Sequence, residues 1–130
     1  MSNMERISIS RRCVITFLIL LLSFSTNAHI GQKMNEIALA YYDKELRKEN
    51  GILIVESNSA TAYFGFDKQG HCDEIAIIPK KGYETSVENH FWTCSEPFQG
   101  TKRIFGEVDG KTIYIEMRKI DDQTIYYIHR

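Results

Sequence analysis

The chain has 130 residues, 43% of them apolar and 25% charged, with a formal net charge of −1 at neutral pH. This is an ordinary globular balance, so it excludes a low-complexity or disordered chain and sets the expectation of one domain. It also lacks the excess of positive charge by which proteins hold phosphate backbones, so no nucleic-acid partner is expected.

The first 28 residues read as a secretory signal. Arg11-Arg12 precedes an apolar run over 13–24 (CVITFLILLLSF), and Thr26 and Ala28 then occupy the −3 and −1 positions of a small-residue cleavage site. Ser23, Ser25, Thr26, Asn27 and His29 make the stretch beyond the run too polar to span a bilayer core of about 30 Å, so cleavage is expected and no membrane span remains after it. Ser10-Arg11-Arg12 partly resembles a twin-arginine signal, although the strongly apolar run suits the general secretory route. Cys13 opens the run instead of closing it, which argues against a lipid-modified cysteine. The mature domain, residues 29–130, is therefore expected in the periplasm or outside the cell. With Arg6, Arg11, Arg12 and Glu5 removed, its charge becomes −3.

Two cysteines remain, Cys72 and Cys94. In an oxidising compartment an even pair is most simply a disulfide, here closing a loop of 23 residues. Such a closure contributes roughly 3 kcal/mol in the chain-entropy account, a large share for a domain this small.

In chain order, Met34, Ile37, Ala38, Tyr41, Tyr42 and Leu46 recur at spacings of three and four, which predicts one amphipathic helix over 33–49 with Asn50-Gly51 as its stop. From Ile52 onward the runs shorten and alternate. Strands are predicted over 52–56, 61–67, 73–79, 89–95, 102–108, 111–118 and 124–129. Residues 80–88 read as loop, with a helical turn over 84–89 as the alternative. Asp109-Gly110 predicts a tight type I′ hairpin, and residues 68–70 and 121–123 predict longer hairpin loops. The expected class is α+β: an N-terminal helix on one face of a curved antiparallel meander of six or seven strands, with a small closed β-barrel as the alternative.

No phosphate loop, dinucleotide fingerprint, serine-nucleophile elbow or zinc-protease motif occurs. His29, His71, His90 and His129 are scattered without metal-ligand spacing, and no cofactor is expected. One metal idea has a chemical basis. Cleavage after Ala28 would make His29 the N-terminal residue, whose amine and imidazole together suit copper. The acidic residues Asp73, Glu74, Glu84, Glu88, Glu107 and Glu116 show no spacing that would make a catalytic pair.

Aromatic residues are the clearer surplus. Neighbouring residues on a strand face opposite ways, so some rings must lie on the uncovered side of a one-sided sheet. The expected contact surface centres on Trp92 with Phe91 and Tyr83, framed by Lys80 and Lys81. Export, small size and absence of catalytic motifs together predict a non-enzymatic binding protein of the inhibitor or immunity type, with a toxin or hydrolase as partner. An envelope assembly factor, joined through a sheet edge, is the alternative beside copper binding.

Overall fold

The structure, a computed structural model, describes residues 29–130. The expected signal segment, residues 1–28, lies outside the described residues. The elements are α1 (Met34–Ala40), β1 (Glu45–Glu49), β2 (Ile52–Glu56), β3 (Ala60–Phe66), β4 (Cys72–Pro79), α2 (Glu84–Thr93), β5 (Glu96–Gln99), β6 (Lys102–Val108), β7 (Lys111–Ile120) and β8 (Gln123–His129).

Three two-residue turns shape much of the sheet. Asn50-Gly51, Asp109-Gly110 and Asp121-Asp122 all hold positive φ at both positions, the signature of the type I′ turn that matches the twist of paired strands. The first links Glu49 to Ile52 in register, the second Val108 to Lys111, and the third Ile120 to Gln123. Asn50-Gly51 is therefore a hairpin turn and not the end of a long helix. The predicted helix over 33–49 shortens to α1, and its second half becomes the edge strand β1.

The second correction concerns residues 89–95. They continue α2, whose buried residues Val87, His90 and Phe91, with Cys94 just beyond, repeat at spacings of three and four. The helical-turn alternative over 84–89 was its first half. A short strand absent from the prediction, β5, follows directly. Among the described residues there are thus two helices and eight strands.

All strand pairs are antiparallel, in the order β1-β2-β3-β4-β8-β7-β6-β5. Two four-strand meanders meet where β4 pairs with β8, and α2 is the connection between them. The edges β1 and β5 do not pair with each other, so the sheet is open and not the alternative barrel. The α+β class stands in this form.

One face of the sheet forms the core. Register aligns Leu53 with Phe64, Phe64 with Ile75, Ile75 with Ile128 and Ile128 with Ile115, all buried. Both helices pack here. Ile37 is fully buried and Tyr41 meets Phe64, while Phe91 of α2 stacks against Phe105 and Tyr126 with centroids 5.7 and 5.1 Å away. Burial of apolar surface at about 25 cal/mol per Å² makes this row the main source of stability. It also raises the Tyr126 hydroxyl to about 12, with Glu88 adding to the effect.

Cys72 is a free, buried thiol, so the expected Cys72–Cys94 disulfide is absent. Its position explains why. Cys72 opens β4, whereas the helix turn before Cys94 rests through Phe91 on Tyr126, which is registered with Ile77. Ile77 lies five residues further along the strand, about 17 Å away at 3.3 Å per residue, while a disulfide needs Cα atoms within about 7 Å. Burial pushes the Cys72 thiol up to about 12, which makes it chemically inert in the closed fold.

Candidate functional site

With both described helices on one face, the other face carries the alternate residues of the strands. Across β5 to β8 these form a continuous aromatic stripe. Phe98 of β5 lies 5.3 Å from Tyr114 of β7, Tyr114 lies 6.0 Å from His129 of β8, and His129 lies 5.5 Å from Tyr127, measured between ring centroids. The order follows from register: Tyr114 opposes His129 and Glu116 opposes Tyr127, so rings alternate with a carboxylate on adjacent strands.

Charged side chains cover two of these rings. The Lys102 ammonium sits 5.2 Å from the Tyr114 centroid, and the Arg118 guanidinium 4.7 Å from that of Tyr127. Arg118 also donates to Glu116 Oε1 at 3.1 Å. His129 Nε2 is 3.7 Å from the same oxygen, too long for a hydrogen bond and an ion pair only when the imidazole is protonated. The Tyr127 hydroxyl donates to Glu74 on β4. Room for the Glu74 side chain comes from Gly65 opposite it, where a Cβ would stand 2.9 Å from Glu74 Cγ. The result is a half-buried aromatic floor whose hydroxyl, cations and carboxylates are held by one another. Phe98, 52% exposed, is its open end.

The predicted contact residues are dispersed instead. Phe91 is 3% exposed and belongs to the core. Trp92 is half-buried on the helix-covered side, edge-on to Tyr126 and stacked under Arg103 at 4.8 Å. Lys80 pairs with Glu56 at 3.2 Å, and Lys81 and Tyr83 are exposed beside the start of α2. They do not form one surface. Strand alternation was the signal for the open-face rings, but choosing the face required knowing where the helices lie.

His29 is likewise turned inward. Its Nδ1 is 2.7 Å from Gln32 Oε1 and its Nε2 is 3.0 Å from the Tyr41 hydroxyl, so both ring nitrogens are engaged within the fold. Burial lowers its pKa, against a smaller raising effect of Gln32. Among the described residues no three His, Cys, Asp or Glu side chains converge as a metal site.

A polar cleft of about 640 Å³ opens at one end of the sheet, with Asp67, His71, Asp73, Asp109, Lys111 and Arg130 in its wall. Asp67 Oδ1 accepts the backbone N–H groups of Gln69 and His71, which lower its pKa. That oxygen is thereby committed to holding the turn between β3 and β4.

No described helix is long and apolar enough to cross a membrane. Comparison with protein-family models, curated proteins and solved structures finds no match.

Proposed function

We propose that this chain is an exported, non-enzymatic binding protein that blocks another envelope or secreted protein, a toxin or hydrolase, by covering it with the face of its sheet opposite the two described helices. The single observation that carries this is the stripe Phe98, Tyr114, His129 and Tyr127, with Lys102 and Arg118 lying on its rings. Tyrosine and arginine dominate the energetic centres of protein interfaces because they bury large area with few rotatable bonds. Holding the cations on the rings in advance lowers the ordering cost of association.

Size agrees with this role. Eight strands at about 4.8 Å spacing and six residues at about 3.3 Å give a face of roughly 760 Å², close to one partner's share of a standard interface. The sheet edges support strand addition less well. β1 reads Glu-Leu-Arg-Lys-Glu, a charged edge of the kind that resists pairing, and β5 carries Pro97. The copper alternative has no support from the geometry of His29, whose ring faces the core.

The test is photo-cross-linking from residue 98 or 114 in cells exporting the full chain, with residue 88 on α2 as the control. The expected adduct is a toxin or hydrolase whose activity falls stoichiometrically when the purified chain is added. Tyr114→Ala should weaken that complex at least tenfold, about 1.4 kcal/mol. Adducts formed only from residue 88, or a bound partner that keeps full activity, would overturn the proposal.

A further inference from the structure

We propose that residues 29–33 form an acid-released strap: proton uptake by His29 frees the strap and the α1 end it holds, and uncovers Cys72. The strap is bound to the first residue of β4 by two short backbone bonds, Gly31 N–H to Cys72 O and Cys72 N–H to Gln32 O, each 2.7 Å. Lys33 extends the pairing through a bridge to His71. β8 pairs with β4 only over residues 74–77, so at Cys72 the strap takes the place of a neighbouring strand.

The His29 ring is the plug that seats it. It is 6% exposed, edge-on to Tyr41 at 5.2 Å and to Phe64 at 5.8 Å. A carbonyl oxygen only accepts, so the contact with Gln32 Oε1 assigns the proton to Nδ1, and Nε2 accepts from the Tyr41 hydroxyl. A second proton makes both nitrogens donors. The Tyr41 hydroxyl must then turn round, and a cation sits in an apolar pocket.

The groups facing the ring are Gln32 from the strap, Tyr41 from the end of α1 and Phe64 from β3. The Cys72 thiol on β4 is buried, points to Glu74 O and is kept uncharged by burial. Among the described residues no carboxylate lies within ion-pairing distance to compensate the imidazolium, and the depressed pKa has burial as its main cause.

The sign follows from linkage. The closed strap favours the neutral ring, so closure is at full strength above the ordinary histidine pKa of about 6.5. Its opening constant then rises as pH falls from there toward the lowered pKa. Cys72 reports the opening directly. Protein purified from the full-length gene is treated with dithiodipyridine between pH 7.5 and 5, and peptide mapping assigns the label to Cys72. Each rate is divided by that of the denatured protein at the same pH, which removes the intrinsic fall in thiolate.

The normalised rate should climb by more than threefold from pH 6.5 to 5 while far-UV dichroism holds constant. It should stay within about threefold in His29→Phe, which keeps a ring against Tyr41 and Phe64, or in His29→Gln if the phenylalanine variant does not fold. His90→Gln should retain the climb. A flat profile in the parent protein, the same climb in both His29 variants, or its loss in His90→Gln would overturn the proposal.

Discussion

Arg103 ties α2 to the sheet, and its replacement by alanine should cost a large part of the domain's stability. From β6 its Nε donates to Ser95 Oγ at 2.7 Å and its Nη2 to Ser95 O at 2.9 Å, with a longer contact to Trp92 O at 3.4 Å. Ser95 Oγ in turn donates to Phe91 O at 2.6 Å. The guanidinium thus caps the carbonyl end of the helix, where positive charge is favoured, and lies on the Trp92 ring. Two charge-assisted hydrogen bonds at about 1.5 kcal/mol each, with about 0.5 kcal/mol from the ring, give roughly 3 kcal/mol after allowing for partial exposure. Total stability for about 100 residues is on the order of 5–15 kcal/mol. At a urea slope near 2 kcal/mol/M the midpoint should fall by roughly 1–2 M. Trp92 is the single tryptophan, so its fluorescence reads the helix end while far-UV dichroism reads the sheet, and coincident transitions establish two-state loss. Arg103→Lys should recover no more than half, because an ammonium cannot span Ser95 Oγ and O as a planar fork does. A midpoint for Arg103→Ala within about 0.2 M of the parent, or a fully stable lysine variant, would refute this account.

Two further outcomes follow from buried groups. Burial lowers the His90 pKa from 6.5 to about 4, so the folded state favours its neutral form. Stability should be complete above pH 6.5 and decline as pH falls to 4, by about 3 kcal/mol from this group. Urea titrations at pH 7, 5.5 and 4.5 should show that decline, and His90→Gln should flatten its share; an unchanged slope in the variant would contradict the assignment. Gly65→Ala should push Glu74 off the Tyr127 hydroxyl, because the added Cβ falls 2.9 Å from Glu74 Cγ, at a cost of about 1–2 kcal/mol. In a Glu74→Ala background the same change should be nearly neutral, and equal costs in both backgrounds would show that the contact does not matter.

The strand runs from Ile52 onward were legible because alternation and turn residues agreed: β2, β6, β7 and β8 begin within one residue of their predicted starts. Two misreadings came from signals with two physical meanings. Asn-Gly ends helices and makes type I′ hairpins, and the apolar residues before it fitted a helical period although the backbone of residues 45–49 was needed by Ile52 to Glu56 as a pairing partner. Val87, His90, Phe91 and Cys94 carried a helical spacing, but the aromatic pair Phe91-Trp92 drew the segment toward strand because aromatic residues favour strands. Cys72 and Cys94 illustrate a different limit: compartment and count favour a bond, but bonding depends on Cα separation, which the seat of α2 on the sheet decides.

The open-face stripe shows where sequence reasoning stops for a physical reason. Tyr126 and Tyr127 are adjacent and alike, and strand geometry requires only that they face opposite ways. Which becomes core is decided by residues far away in the chain, since Phe91 fills the space over Tyr126 and α1 closes the same side over Phe64. Once both helices share a face, Tyr127 must be satisfied from its own surface, and Glu74 and Arg118 supply the partners. An aromatic ring kept half-exposed with two ordered polar side chains on it is a costly way to finish a surface that Thr or Lys would solubilise more simply. That imbalance between local cost and local need is the physical ground for proposing that the stripe serves a partner instead of the fold.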